Sequence, residues 1–221
     1  TAILLQILRT PHQPCAAPSI KQGGNKMEFS HLPEIAQKIL TETGAFRQGH
    51  FQLTSGLHSS GYLQCALILQ YPHHAEYICR ELAQRLAAKK PDVVLSPALG
   101  GIVMGYELAR ALHCRGIFGE RVNGEMQLRR GFFLRENERV LLAEDVVTTG
   151  GSVQELKAIV EAAGAQIIGY AALCDRSGGM FSPAQGLDSW VTLSIESWQP
   201  DLCPLCGKGI PIDKPGSRWK S

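Results

Sequence analysis

The 221-residue sequence lacks the features that mark membrane proteins, disulfide-built secreted proteins and strongly basic nucleic-acid binders. It has no apolar run of about eighteen residues, the length that spans a membrane. Its net charge is only +2, so it gives no global signature of a nucleic-acid partner. Its seven cysteines are an odd number, scattered through apolar segments, which favours a reducing compartment over a disulfide framework. These absences predict a cytoplasmic globular protein with neither a membrane nor a nucleic-acid partner.

The first 26 residues differ in composition from the rest of the chain. They contain a short apolar start, three prolines and a Gly-Gly pair. A signal peptide carries its basic residues before the apolar core, whereas Arg9 follows it here. We interpret residues 1–26 as a poorly ordered extension, with Met27 as an original start, and residues 27–221 as one domain.

Apolar periodicity predicts alternating strands and helices. Asn123-Gly124 is a strong hairpin-turn pair between two of the strands. Such alternation is typical of an α/β fold, with a mostly parallel central sheet and helices on both of its faces. The predicted helices cover residues 33–43, 72–89, 102–112 and 153–163, and the predicted strands cover 50–53, 61–67, 92–96, 117–121, 126–132, 140–143 and 166–173.

The stretch EDVVTTGGS follows a buried strand and leads into a helix. In parallel sheets, ligands bind at the carboxyl ends of strands, where Glu144 and Asp145 are expected. The two glycines permit close backbone approach, and the helix N-terminus favours a phosphate. The adjacent acids suit the vicinal hydroxyls of a sugar or a magnesium ion. The motif therefore predicts a sugar-phosphate site, and neither G-x-G-x-x-G nor a Walker motif occurs.

An alternative is that the acids only cap the helix that follows. Asp145 lies seven residues before Ser152, too far for a capping residue. Adjacent acids at the end of a buried strand are also costly to desolvate. A binding role is therefore the better interpretation.

AEDVVTTGGS closely resembles the 5-phosphoribosyl 1-pyrophosphate (PRPP) motif of type I phosphoribosyltransferases. Together with HFQLTSGLHSSGYLQCA, SPALGGI, ERVNGEMQLRRGF and CPLC…KPGSR, it resembles the orotate phosphoribosyltransferase family from about Met27 onwards. The resemblance implies the type I phosphoribosyltransferase fold, with a small hood formed by the first helix and residues 50–66. It also implies an enzyme of pyrimidine biosynthesis that transfers ribose 5-phosphate from PRPP to orotate, with Mg²⁺ as cofactor and a homodimer as the working form.

The resemblance assigns site residues by position. Thr148 and Arg176 match positions that touch orotate; the alternative for Arg176 is a surface ion pair with Asp175. Ser96 to Gly101 match the pyrophosphate loop, with a strained peptide implied near Ala98-Leu99. The positions that match the PRPP site are Arg121, Glu144, Asp145, Val146, Val147, Thr148, Thr149, Gly150, Gly151 and Ser152.

The chain also departs from the family's better-known pattern. Thr54 and Gly100 stand where lysines are usual, and the hairpin ERVNGEMQLRRGF keeps only Arg121 of a longer cationic run. The catalytic acid therefore stays unassigned. Arg129 and Arg130 either replace the missing charge or form a solvated strand face. In the family, the matching loop closes over the partner's site, which implies a lid acting in trans.

Cys203-Pro-Leu-Cys206 has the spacing of two metal ligands, but structural zinc sites normally take four. With no second cysteine pair or clear histidine pair in the sequence, we expect an ordinary turn and no bound metal. His50, His58 and His113 are interpreted as packing residues.

Two other functions fit parts of the pattern. A purine-base phosphoribosyltransferase would share the PRPP motif. A PRPP-sensing RNA-binding regulator would share the fold, although the near-neutral charge disfavours it.

Overall fold

The computed structural model of the protein describes residues 31–53 and 55–215. The predicted extension, residues 1–26, lies outside this part of the chain. No helix in the described ranges has the length and apolarity needed to cross a membrane. The helices are α1 (Glu34–Glu42), α2 (Ala66–Leu69), α3 (Pro72–Leu86), α4 (Gly100–Leu112), α5 (Gly151–Ala162) and α6 (Pro204–Gly207). The strands are β1 (Phe46–Gln52), β2 (His58–Leu63), β3 (Val93–Pro97), β4 (Arg115–Val122), β5 (Glu125–Leu128), β6 (Arg139–Val147), β7 (Gln166–Asp175), β8 (Leu187–Thr192) and β9 (Ser197–Trp198).

The central sheet has the order β5-β4-β3-β6-β7-β8. Strands β4, β3, β6, β7 and β8 pair in parallel, and only the edge strand β5 runs antiparallel, to β4. The predicted α/β fold with a mostly parallel sheet is therefore confirmed. Because parallel strands end at the same edge, the residues that follow β3, β6 and β7 are brought together.

Alternating side chains of each strand pack on opposite faces of the sheet, as the period of two requires. Val94 and Leu141 face a cluster that includes residues of α3 and α4. Val93 and Leu142 face a second cluster that includes residues of α5. Helices therefore cover both faces, and the sheet edge between them is left for the loops.

A second, three-stranded sheet with the order β1-β2-β9 forms the hood. Its last strand contributes only two residues, which pair with His58 and Ser59. The chain after β9 continues along the hood, where the Asp213 N–H donates to the His50 carbonyl (2.8 Å) and the Gln52 N–H donates to the Asp213 carbonyl (2.9 Å). The hood therefore contains C-terminal residues that the sequence-based prediction did not include.

Several predicted boundaries are corrected. The strand predicted at residues 126–132 ends at Leu128, and the strand predicted at 61–67 ends at Leu63, where α2 soon follows. The strand predicted at 140–143 continues to Val147, so both acids lie within it. Strands β8 and β9 were not predicted. Each of the other predicted helices and strands overlaps an observed one.

Candidate active site

Glu144 and Asp145 lie on β6 near the carboxyl edge of the sheet. Helices α4 and α5 begin at the same edge, because each follows β3 or β6 after a short turn. Two helix N-termini therefore converge beside two carboxyl groups. Free N–H groups and the helix dipole make such ends favourable for phosphate groups.

Glu144 is buried, with 8% of its surface exposed. Burial, and next the negative charge of Asp145, raise the pKa of Glu144 to about 9. At neutral pH Glu144 therefore holds its proton and can donate a hydrogen bond to a sugar hydroxyl. The Oδ1 atom of Asp145 accepts a hydrogen bond from the Val146 N–H at 3.0 Å. The pair thus offers one donor and one acceptor carboxyl to a ligand.

The Thr-Thr-Gly-Gly-Ser turn connects β6 to α5, and its threonines, Thr148 and Thr149, are exposed to solvent. Val147 is instead buried in the cluster that includes α5, whereas Val146 is half-buried against the cluster on the opposite face. The Val147 side chain is therefore not accessible to a ligand, which would contact this residue through its backbone. Gly150 has a φ of 76°, a left-handed conformation that glycine adopts without strain. The turn presents hydroxyls and backbone N–H groups to solvent, as a phosphate site requires.

The segment from Ser96 to Gly101 connects the end of β3, the neighbour of β6, to the start of α4. The peptide bond between Ala98 and Leu99 is cis, at the position where the resemblance implies an unusual peptide. A Cβ atom built at Gly100 would lie 2.6 Å from Oδ2 of Asp145. The Asp145 carboxylate therefore occupies the space that a side chain at position 100, where the family usually has lysine, would need.

Arg176 follows β7 at the same edge. Its Nε atom is buried and has no hydrogen-bond partner among the described residues, and no ion pair joins its guanidinium to Asp175. Asp175 instead accepts a hydrogen bond from the Ser177 N–H at 2.7 Å. Burial lowers the pKa of Arg176. A buried cationic donor without a partner is costly, so the site favours an anionic ligand at this point.

The hood contributes Tyr62 and Cys65 to this edge, two residues that the sequence analysis did not assign. The Cys65 thiol donates to the Asp145 carbonyl at 3.7 Å. Burial, and next the charge of Asp145, raise the pKa of Tyr62, while the charges of Arg47 and Arg176 lower it. Tyr62 and Cys65 therefore lie near enough to both the acid and the arginine to interact with their charges. The only signal in the sequence was their place in the stretch HSSGYLQCA.

Arg121, on β4, contacts the Thr-Thr-Gly-Gly-Ser turn of its own chain. Its guanidinium forms two hydrogen bonds with Glu155 (3.0 and 2.7 Å) and one with the Ser152 hydroxyl (3.4 Å). Arg129 and Arg130 follow β5 and pair with Glu120, the Arg130 Nε lying 3.1 Å from its carboxylate. These two arginines are partly neutralised and exposed. The prediction that they lie on a strand is wrong, because β5 ends at Leu128.

A separate cluster lies in the hood, away from this edge. Cys203 and Cys206 meet His50 and His58, and the potential ligand atoms of all four lie within 4.8 Å of one another. The expectation that no histidine pair accompanies the cysteines is therefore wrong. It failed because the histidines lie about 150 residues earlier in the chain.

Comparison with known proteins identifies the family. Residues 69–199 match the model of the phosphoribosyl transferase domain. The chain is 53% identical over 181 residues to a protein of Caldicellulosiruptor saccharolyticus named orotate phosphoribosyltransferase, covering 82% of this chain and 95% of that protein. It is also similar to the crystal structure of orotate phosphoribosyltransferase from Aeropyrum pernix, with a TM-score of 0.56 and 26% identity over 70% of this chain and 92% of that one. An adenine phosphoribosyltransferase structure from Rhodothermus marinus matches with a TM-score of 0.58 at 17% identity, covering 72% of this chain and 99% of that one, which shows the shared fold alone. The chain belongs to the phosphoribosyltransferase family, on its orotate phosphoribosyltransferase branch.

Proposed function

We propose that the protein transfers the ribose 5-phosphate group of PRPP to N1 of orotate, which gives orotidine 5′-phosphate and pyrophosphate. The bond from C1′ to the pyrophosphate oxygen breaks, a bond from C1′ to N1 forms, and N1 loses its proton. The observation that carries the choice of orotate is the buried Arg176 Nε without a partner. Orotate has a carboxylate that a planar guanidinium binds well, whereas adenine and hypoxanthine have none.

The other residues of the edge would bind PRPP. The 5′-phosphate would lie on the turn from Thr148 to Ser152, and the ribose hydroxyls against Glu144 and Asp145. The pyrophosphate would face the N-terminus of α4, where Gly100 leaves the backbone accessible. Thr148 and Arg176 would bind the base from the ends of neighbouring strands. Each group is thus held by fixed dipoles aimed at where charge develops in an oxocarbenium-like transition state.

The donors present fit Mg²⁺, which prefers one or two carboxylates together with substrate phosphates. Asp145 supplies a carboxylate at the edge, and bound PRPP would supply phosphate oxygens. When bound, the ion would neutralise charge on the departing pyrophosphate. We therefore propose Mg²⁺ as the cofactor.

We also propose a homodimer in which the hairpin of residues 120–132 reaches the partner's site. Leu99, Val103 and Tyr106 are exposed apolar side chains at helical spacing at the start of α4, and a second copy of this edge would cover them. Arg121 lies on β4, three strands from β7, the strand that Arg176 follows, or about 14 Å at ordinary strand spacing. The hairpin is thus distant from the base site of its own chain. We place the enzyme in the cytoplasm, because the described cysteines are free thiols.

The test is a product assay with PRPP, Mg²⁺ and either orotate, adenine or hypoxanthine. We expect orotidine 5′-phosphate to form with orotate, and no product from the purines. Asp145→Asn should weaken PRPP use, because a charge-assisted hydrogen bond worth about 1.5–3 kcal/mol is lost. Consumption of a purine but not of orotate would contradict the proposal, and so would RNA binding without turnover.

A further inference from the structure

The cluster of His50, His58, Cys203 and Cys206 lies outside the active site and has no role in the proposed reaction. His50 belongs to β1 and His58 begins β2, while Cys203 and Cys206 lie at the start and within the single turn of α6. Both histidines and Cys203 are buried, and Cys206 is exposed. Two strands of the hood and the C-terminal segment therefore meet at one point.

We propose that these four side chains bind a zinc ion in a structural Cys₂His₂ site. Tetrahedral zinc, with bonds of about 2.0–2.1 Å to nitrogen and 2.3 Å to sulfur, separates its ligand atoms by roughly 3.3–3.8 Å. The His50 Nε2 atom lies 3.1 Å from His58 Nδ1, 3.4 Å from the Cys203 Sγ and 3.7 Å from the Cys206 Sγ. Cys206 Sγ lies 3.3 Å from His58 Nδ1. These separations match the edges of a zinc tetrahedron to within a few tenths of an ångström.

Hydrogen bonding alone does not account for the convergence. The Nδ1 atom of His50 lies 2.7 Å from the Ile210 carbonyl oxygen, which only accepts, so Nδ1 carries the proton. The Nε2 atom then has a single lone pair, yet three other polar side-chain atoms surround it. One of them at most can donate to it. A zinc ion at the centre would bind all four atoms, and the bond to Ile210 is the outer contact that metal-bound histidines usually make.

The ion would join the C-terminal segment to the hood. The short strand β9 pairs through only two residues, and beyond it the segment is held by Asp213, which pairs with Arg47 at 2.7 Å. A three-stranded sheet this small gains from an additional cross-link. His50 and His58 also bracket the β1–β2 loop, so one metal would fix both of its ends. With four protein ligands and no open position, the site is structural rather than catalytic.

The first test is the metal content of the full chain, purified without a histidine tag and without chelator, measured by elemental mass spectrometry. We expect about one zinc ion per chain in the wild-type protein. Cys206→Ser should weaken zinc binding by more than the roughly 10- to 100-fold typical of losing an outer contact. Cys114→Ser, at a half-buried cysteine outside the cluster, is the matched control and should keep its zinc.

The second test is thermal unfolding before and after removal of the metal. The melting temperature should fall when a chelator removes zinc, and added Zn²⁺ but not Mg²⁺ should restore it. The proposal is overturned if the wild-type protein holds no zinc and takes up none, or if Cys206→Ser binds zinc as the wild type does. Thiol titration of the unreduced, denatured protein that reveals a Cys203–Cys206 disulfide would also overturn it. None of these readouts depends on orotate transfer.

Discussion

The proposed recognition of orotate depends on Arg176, a half-buried residue whose buried Nε has no hydrogen-bond partner in the described part of the chain. We expect Arg176→Ala to raise the KM for orotate by about 10- to 100-fold, because a charged hydrogen bond contributes about 1.5–3 kcal/mol. The KM for PRPP should change little. Arg176→Lys is the matched control. It keeps the positive charge but not the planar guanidinium, so it should recover only part of the lost orotate affinity. Equal rises in both KM values would assign Arg176 to the fold instead.

The raised pKa of Glu144 predicts a pH-dependent stability. A carboxyl whose folded-state pKa is about 9, above its unfolded value near 4.5, binds its proton more tightly when folded. Its contribution to the free energy of unfolding is therefore fully present below about pH 4.5 and is lost as the pH rises towards 9. Glu144→Gln keeps the neutral shape at every pH. It should melt several degrees above the ligand-free wild type at pH 9, since about 1 kcal/mol moves the Tm by roughly 2–4 °C at this chain length.

The control for this prediction is the same pair of proteins at pH 4, below the unfolded value near 4.5, where the difference in Tm should be small. Glu161→Gln, at an exposed acid on α5, should show no such pH trend. A constant difference in Tm between wild type and Glu144→Gln from pH 4 to 9 would show that Glu144 is ionised in the folded protein.

At the residue scale, the sequence indicates which residues lie together when they are neighbours in the chain. The acids and the Thr-Thr-Gly-Gly-Ser turn fall within nine consecutive residues, Glu144 to Ser152, so their proximity can be predicted without knowing the fold. The His–Cys cluster and the approach of Gly100 to Asp145 join distant segments, and no spacing rule connects them. Such contacts depend on strand order, which hydrophobic periodicity does not determine.

At the scale of elements, the start of α4 packs closely against the Asp145 carboxylate because Gly100 has no side chain. Because a Cβ at Gly100 would lie 2.6 Å from the Asp145 carboxylate, any larger residue must displace the acid. Gly100→Lys therefore should not restore the family's usual lysine function; we expect it to lower kcat/KM for PRPP by at least about tenfold, as expected for a displaced charged group. Gly100→Ala should show most of the same loss.

The matched control is Gly207→Ala, at a glycine of α6 where an added Cβ meets no atom within 4 Å. Its kinetics should equal those of the wild type. If Gly100→Lys is instead more active than the wild type, the loop rearranges freely and the contact with Asp145 does not constrain it.

Long helices and strands with a clear apolar period were predicted well. Short strands, and strands whose side chains are half-buried on both faces, were not. Helix α3 shows a clear apolar stripe, and its predicted start at residue 72 is confirmed. Strand β8 has several half-buried positions and β9 has only two residues, so neither produces a recognisable alternation. The strand predicted at 126–132 extended too far, because Arg130 adopts a left-handed turn that the apolar pattern did not indicate.

At the scale of the whole molecule, the hood and the sheet edge enclose the proposed reaction from two sides. The hood contributes Tyr62 and Cys65 near Asp145, while the hairpin formed by β4 and β5 lies at one end of the strand order of the central sheet. Closure over both sides would exclude water from an oxocarbenium-like centre. The open question for the assembly is which chain supplies the hairpin to each site.

Mixed dimers answer this question, with two different affinity tags used to purify them. We pair an Arg121→Ala chain with an Asp145→Asn chain. If the hairpin acts in trans, one of the two sites combines an intact Asp145 with an intact Arg121, and activity should return to about half that of the wild type. The control pairs a wild-type chain with a chain carrying both substitutions. Each of its sites then has one defect, so it should be nearly inactive.

The opposite pattern would contradict the proposal of a lid in trans. If Arg121 serves the Ser152 turn that it contacts in its own chain, each site of the first mixed dimer carries one defect and activity stays low. The control dimer then keeps one complete wild-type site and about half of the activity. Because the two arrangements exchange the active and the inactive pairing, loss of stability in either variant cannot imitate the result expected for a lid in trans.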